Sequence, residues 1–279
     1  MAFDPVTSLD YSASDAGTNF SHLVSTMDAV SAWPEVRVLR AWERDQLELR
    51  DDDRLIDVGC GPGDAAVHLA ADLGSHGFVL GVDMNEAMLR TARSRAQDAF
   101  GGVGWARMDA ARLAAPDGSF AAARAERTLQ WVPDPARVVA ELHRLLRPGG
   151  RLGIIDTDWS TLELDTGDEG VRVAVRAHMQ EERRRPSRVG ARLSNLCHDA
   201  GFVDLVVTEA THVWTSWDPD RLAVPDGFFA IENLADDLVA SGHLTGGEQA
   251  HFVESIKSAA RAGRFFMALT MYAIAGRRR

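Results

Sequence analysis

The chain has 279 residues, 46% of them hydrophobic and 25% charged, a composition that excludes collagen-like, disordered and low-complexity proteins and fits one large α/β domain or two small ones. Asp and Glu number 41 against 30 Lys and Arg, and the formal net charge of −11 argues against a nucleic-acid partner. The two cysteines are too few for a disulfide scaffold or a zinc site, so we expect a protein of the reducing cytoplasm without a metal.

From residue 54 onward, short apolar runs alternate with amphipathic stretches, which is the pattern of strand–helix units around a parallel sheet. Glycine and proline clusters separate these units and set their limits. The first half is predicted to contain a strand at 55–58, a glycine-rich turn at 59–63, a helix over 65–73, a strand at 78–82, a helix over 85–99 and a strand at 103–108.

The second half continues the alternation and ends in two strands without a helix of crossover length between them. Its clearest helix opens at Pro133-Asp134-Pro135 and stops at Pro148-Gly149-Gly150. The predicted strands are residues 120–125, 151–155, 203–213 and 265–274, with a further helix over 191–200.

Three segments lie outside this alternation. Residues 1–50 become helical from about Phe20, and we interpret them as an N-terminal helical lid on a main domain of residues 51–279. Residues 161–188 and 227–262 read as cap insertions in that domain. The N-terminus has no leader-like pattern and no apolar run reaches the roughly 18 residues of a membrane span, so we expect no membrane partner.

The glycine-rich turn is the strongest functional signal. Gly59, Gly61 and Gly63 stand between a strand and a helix, where the backbone can turn sharply and approach a ligand. Asp83 ends the next strand, where a carboxylate can accept hydrogen bonds from both ribose hydroxyls. Together they predict a ligand that contains a nucleoside.

Two nucleoside cofactors remain in contention. A dinucleotide fold uses GxGxxG, whereas this loop reads GxGxG. Asp57 and Asp64 flank the loop and would repel a pyrophosphate, but they suit a cation such as S-adenosylmethionine. A nicotinamide-dependent oxidoreductase is therefore less favoured than an S-adenosylmethionine-dependent enzyme. A non-enzymatic binding protein with a vestigial pocket is a third alternative.

Four ordered motifs resemble one family. LIDVGCGPGDAA, GVDMNEAML, RMDAARL and the stretch from LQWVPDP to GIID resemble the successive motifs of class I S-adenosylmethionine-dependent methyltransferases, in the small-molecule branch related to ubiquinone and menaquinone biosynthesis enzymes. The resemblance implies an α/β fold with a Rossmann-like, seven-stranded, mostly parallel sheet, an antiparallel C-terminal hairpin and helical caps. It also implies S-adenosyl-L-methionine as the cofactor.

The resemblance assigns roles to individual residues. The glycine loop would pack on the methionine part of the cofactor, and Asp83 would hold the ribose. Glu126 stands where these enzymes usually have a small or amide residue. The cofactor ligands implied in this way are Gly59, Cys60, Gly61, Asp83, Met84 on the adenine, Asp109 and Ala110 at the adenine edge, and Arg127 near the transferred methyl.

The function that follows is methyl transfer to an oxygen, nitrogen or carbon nucleophile of a small, partly apolar metabolite, in secondary metabolism. An alternative keeps the cofactor but uses it in a cyclisation or rearrangement without transferring the methyl. Asp158 and His178 are the candidate general bases, and Gln130, Asp156 and Trp159 are candidate pocket residues. The expected partner is a small molecule, and we include a homodimer among the expected assemblies.

Overall fold

The computed structural model describes residues 18–97, 101–180, 188–221 and 230–279. In this part of the chain, seven strands form one sheet in the order β3-β2-β1-β4-β5-β7-β6. Strands β1 to β5 are parallel, and β7 runs antiparallel between β5 and β6. The strands are β1 (Arg54–Val58), β2 (Phe78–Asp83), β3 (Gly102–Arg107), β4 (Phe120–Glu126), β5 (Leu146–Asp165), β6 (Phe202–Trp214) and β7 (Phe266–Arg278). The predicted fold class, with its antiparallel C-terminal pair, is confirmed.

Helices cover both faces of this sheet and begin where the sequence signals place them. Asn85 caps the helix Glu86–Arg95 by accepting hydrogen bonds from the backbone N–H groups of Ala87 and Met88, and Asp134 caps the helix Pro135–Leu145 by accepting one from Arg137. The helices are α1 (Thr18–Ser31), α2 (Pro34–Leu47), α3 (Asp64–Leu73), α4 (Glu86–Arg95), α5 (Pro135–Leu145), α6 (Glu169–Gln180), α7 (Val189–Asp199), α8 (Ile231–Ala240) and α9 (Gln249–Arg261), with a short 3-10 turn at Leu129–Trp131. None of the helices in the described ranges has the length and apolar character of a membrane span.

Strand β5 differs most from its prediction, because it has 20 residues instead of five. Strand β7 pairs with it from Arg151 to Asp158 and again from Glu163 to Asp165, with an irregularity between the two stretches. The segment predicted as a cap insertion at 161–188 therefore starts as strand and continues as α6, while residues 181–187 lie outside the described residues. The second predicted cap contains α8 and α9, and residues 222–229 also lie outside.

The N-terminal helices pack directly on the extended half of the sheet. Val30, Trp33, Val36 and Leu39 belong to a buried cluster that includes side chains of β5, α6, β7 and α8. Full burial of an aliphatic side chain of this size contributes roughly 1.5–3 kcal/mol, so α1 and α2 are fixed by a substantial apolar interface. The division of the chain at residue 50 stays a prediction.

Candidate functional site

The topology places a crevice at the carboxyl ends of β1 and β4. From β1 the chain proceeds to β2 and β3 on one side of the sheet, whereas β4 and β5 lie on the other side. Loops that leave the two central strands therefore diverge, which is where open α/β sheets bind ligands. Thr128, beyond β4, donates its hydroxyl to the carbonyl of Val58 at 3.1 Å and joins the two loops.

The glycines of the loop after β1 are required by its conformation. Gly59, Gly61 and Gly63 have φ values of 74°, 51° and 85°, in the left-handed region that side chains disfavour. A Cβ at Gly59 would overlap Thr128, and one at Gly61 would lie 2.7 Å from the methyl carbon of Met27 on α1. The loop is therefore tightly enclosed, and α1 lies against its outer side.

Asp83 holds this loop in place. Its Oδ2 accepts a hydrogen bond from the backbone N–H of Gly61 at 2.9 Å, and its Oδ1 accepts one from Asn85 N–H at 2.8 Å. Burial raises the pKa of Asp83, although the backbone hydrogen bonds counteract part of the rise. Each carboxylate oxygen has a second lone pair, so these contacts leave acceptor capacity for a ribose. Sequence reasoning found the carboxylate but missed its role as the anchor of the loop.

The predicted adenine ligands lie on the same edge of the sheet. Met84 is 45% exposed, so an apolar face is available to a flat ligand. Asp109 is exposed and accepts the N–H of Ala111 at 2.9 Å, which forms a local turn, and Ala110 is buried. Their ligand roles stay predictions.

Arg127 follows β4 in a left-handed conformation that is uncommon for a side chain of its size, with φ at 50°. Its backbone N–H donates to the carbonyl of Ile155 at 2.7 Å, which ties the end of β4 to β5. Its Nε lies 3.4 Å from a carboxylate oxygen of Glu126. These contacts place Arg127 at the carboxyl end of β4, where the methionine part of the cofactor is predicted.

A charged cluster that sequence reasoning missed lies beneath this edge. Arg124 is 1% exposed and contacts Asp57 at 3.0 Å, Glu43 at 2.9 Å and Glu126 at 2.8 Å. Arg40 of α2 pairs with Glu126 from the solvent side at 2.7 Å. A signal for part of this cluster was available, because Asp57 and Arg124 are opposite each other in the register of β1 and β4.

The cluster has more acidic than basic groups. Burial raises the pKa of Glu43 to about 6, since it outweighs the attraction of Arg124. Burial also raises the pKa of Glu126, but the charges of Arg40, Arg124 and Arg127 outweigh this effect and hold it well below its usual value. The groups in ion-pair contact here are three guanidinium and four carboxyl groups: Arg40, Arg124 and Arg127 with Glu43, Asp57, Asp64 and Glu126.

The two candidate bases lie on different elements. Asp158 is 1% exposed, and its Oδ2 accepts the N–H of Ala191 at 2.9 Å in the first turn of α7, while Oδ1 accepts the N–H of Ser160 at 3.0 Å. His178 on α6 has its Nδ1 3.1 Å from the hydroxyl of Ser241, after α8. The described contacts do not bring the two side chains together, and their catalytic roles stay predictions.

Asp156 shapes the loop that follows β4. It is fully buried and accepts the N–H of Leu129 at 2.7 Å and that of Thr157 at 2.9 Å. Burial raises its pKa to about 7, against the opposing effect of these hydrogen bonds. The adjacent Gln130 accepts a hydrogen bond from the indole of Trp159. These contacts hold the turn after β4 against β5, and the roles of Gln130, Asp156 and Trp159 as pocket residues stay predictions.

Comparisons with known proteins agree with this geometry. A family model described as "Methyltransferase domain" matches residues 56–154. A 37.1 kDa protein in transposon TN4556 of Streptomyces fradiae is 32% identical over 251 residues, which cover 90% of this chain and 70% of that protein. A 2-phytyl-1,4-naphtoquinone methyltransferase of Nostoc punctiforme is 31% identical over 142 residues, or 49% of this chain and 62% of the enzyme. The crystal structure of YcgJ from Bacillus subtilis has the same fold, with a TM-score of 0.58, 18% identity, and coverage of 87% and 99% of the two chains.

Proposed function

This chain belongs to the class I S-adenosylmethionine-dependent methyltransferases related to those of quinone biosynthesis, and from that premise we propose that it methylates an oxygen, nitrogen or carbon nucleophile of a small, partly apolar metabolite. Its cofactor is S-adenosylmethionine. A role in secondary metabolism is part of the proposal.

The observation that carries the proposal is the loop between β1 and α3 at the switch point of the sheet, which has three left-handed glycines and is held to Asp83 through the N–H of Gly61. The surrounding residues fit an adenosyl cation. Asp83 offers lone pairs to the ribose, the exposed Met84 offers an apolar face to the adenine, and the excess of carboxylates complements a positive charge. We assign Gly59, Cys60, Gly61, Asp83, Met84, Asp109, Ala110 and Arg127 to cofactor binding on this basis.

When bound, the cofactor supplies a methyl group on a sulfonium, which is an excellent leaving group. The work of the protein is then to hold the acceptor in line and to exclude water, an effect that can supply roughly 7–11 kcal/mol. The packed N-terminal helices, with Met27 against Gly61, support water exclusion. Where the acceptor must lose a proton, we propose Asp158 and His178 as the bases to test. Because Asp158 is 1% exposed, its use as a base would require the acceptor to reach a buried carboxylate.

The acceptor site is proposed around Gln130, in the turn after β4, and Trp159 of β5, whose side chains are hydrogen-bonded to each other. Both side chains are buried, so the proposed site is an enclosed one whose indole and amide suit a partly apolar metabolite. The net charge of −11 supports the absence of a nucleic-acid partner, and the free cysteines support a cytoplasmic location.

For a homodimer, β6 offers an edge strand with Val206, Val207 and Val213 between 44% and 52% exposed. An exposed apolar edge strand invites pairing with another chain, so we propose that two copies associate through it. Light scattering coupled to size-exclusion chromatography tests this assembly, and a monomeric mass at micromolar concentration would contradict it.

Isothermal titration with S-adenosylhomocysteine, followed by incubation of the protein and extract with methyl-labelled S-adenosylmethionine, tests the proposed reaction. We expect binding and transfer of the label to a small molecule. Product formation without label transfer would favour the cyclisation or rearrangement alternative. No binding to S-adenosylhomocysteine would contradict both.

A further inference from the structure

Arg40 connects α2 to both rims of the crevice. Its Nε and Nη2 donate to the two carboxylate oxygens of Glu126 at 2.7 and 2.9 Å, and its Nη1 donates to Oδ2 of Asp64 at 2.6 Å. Nη2 also donates to the hydroxyl of Ser31 at 3.1 Å. The side chain is 20% exposed, so most of the guanidinium is enclosed by these partners.

The partners of Arg40 occupy the positions that define the crevice. Asp64 is the first residue of α3 and directly follows Gly63, whereas Glu126 is the last residue of β4 and directly precedes Arg127. Ser31 is the last residue of α1. One planar side chain thus joins the glycine-loop rim, the β4 rim and the two N-terminal helices.

Helix α1 is also fastened to α4. Asp28 accepts two hydrogen bonds from Arg95 of α4, both at 2.8 Å. The methyl carbon of Met27, the residue before Asp28, lies against Gly61. The position of α1 against the loop therefore depends on the ion pair of Asp28 as well as on Arg40.

We propose that Arg40 is a positioning residue for cofactor binding, which fixes the spacing between the start of α3 and the end of β4 and keeps Met27 over the glycine loop. A guanidinium donates in fixed directions within one plane, so its three acceptors are held in one mutual arrangement. A lysine carries the same charge without that geometry. The inference rests on the proposed function, because it assumes that the cofactor occupies this crevice.

Removal of Arg40 leaves neither Glu126 nor Asp64 as an isolated buried charge, so its main effect is on the relative positions of these two residues. Glu126 retains its contact with Arg124 at 2.8 Å, and Asp64 is 32% exposed and can be hydrated. Buried ion pairs contribute little net stability compared with apolar replacements but can select one arrangement among several. The expected consequence is a folded protein in which fewer molecules have the binding-competent arrangement.

The test compares Arg40→Met, Arg40→Lys and the control Arg44→Met by titration with S-adenosylhomocysteine, at a temperature where circular dichroism shows all variants folded. Arg44 lies one turn further along α2 and makes an exposed ion pair with Asp72 at 3.3 Å, so it is matched in helix and charge. If the competent fraction falls to about a tenth, Arg40→Met binds about tenfold more weakly. We expect an intermediate loss for Arg40→Lys and none for Arg44→Met.

Hydrogen exchange supplies a second readout. Amides of residues 20–31 should exchange faster in Arg40→Met than in the wild type, and ligand should restore less of their protection. Wild-type protein that does not bind S-adenosylhomocysteine would overturn the proposed function. Wild-type binding together with unchanged affinity in Arg40→Met would overturn only the role of Arg40. If Arg40→Met does not fold, wild-type affinity and protection in Arg40→Lys would overturn it equally.

Discussion

The carboxylate of Asp83 provides the sharpest test of the site, because its role in the loop and its predicted role in ribose binding can be separated. It accepts hydrogen bonds from Gly61 and Asn85, and we expect it to accept others from the cofactor ribose. Asp83→Ala removes both kinds of contact. Asn85→Ala disturbs the same junction by removing the cap of α4 but leaves the carboxylate, and it is therefore the matched control.

The magnitude follows from these contacts. Hydrogen bonds to a charged group are worth about 1.5–3 kcal/mol, so Asp83→Ala should weaken binding of S-adenosylhomocysteine by roughly 10- to 150-fold. Loss of the Asn85 cap costs about 1 kcal/mol of stability, which acts mainly on α4 rather than on the ligand. We expect Asn85→Ala to reduce affinity by less than about threefold.

A thermodynamic cycle separates the ribose contact from the loop contact. Isothermal titration compares S-adenosylhomocysteine with an analogue that lacks both ribose hydroxyls, for wild type and for Asp83→Ala. The wild type should prefer the complete ligand, and the variant should lose most of that preference. If Asp83→Ala discriminates between the two ligands as the wild type does, Asp83 does not hold the ribose and the reasoning fails.

Three further predictions concern stability and are measured by urea unfolding. Arg124→Met should lower the free energy of unfolding by about 3–5 kcal/mol, because Glu43, Asp57 and Glu126 lose a buried partner, and a loss below about 1 kcal/mol would contradict this. Burial raises the pKa of Asp156 from 3.8 to about 7, so the folded protein binds the proton of this carboxyl group more tightly than the unfolded chain does. The contribution of Asp156 to stability therefore falls as the pH rises from about 4 to about 7. The free energy of unfolding of the wild type should accordingly exceed that of Asp156→Asn by more at about pH 5 than at about pH 8. Equal differences at the two pH values would refute the raised pKa of Asp156. Gly63→Ala should cost about 1–3 kcal/mol more than Gly242→Ala, because φ is 85° and 80° at the two positions but only at Gly63 would a Cβ meet another side chain, 2.6 Å from Trp105; equal losses would show that packing is not responsible.

Much of the fold could be predicted because its signals are local. The glycine loop, the proline at the start of α5 and the alternation of apolar runs each act over a few residues, so they place strands and helices in chain order. The resemblance of the motifs then supplied the antiparallel pair at the C-terminus. The length of β5 was not predictable in this way, because its second half exists through pairing with β7, about 100 residues later in the chain.

The sequence by itself predicted a nucleoside site, since Asp83 and the glycine loop are each marked by a strand end and a turn. Only the tertiary structure decided which charges meet around it. Arg124 contacts Glu43 across 81 positions of the chain, and Arg40 contacts Glu126 across 86. A buried ion pair is selected by distance and geometry in the folded protein, and partners this far apart leave no periodic pattern in the sequence.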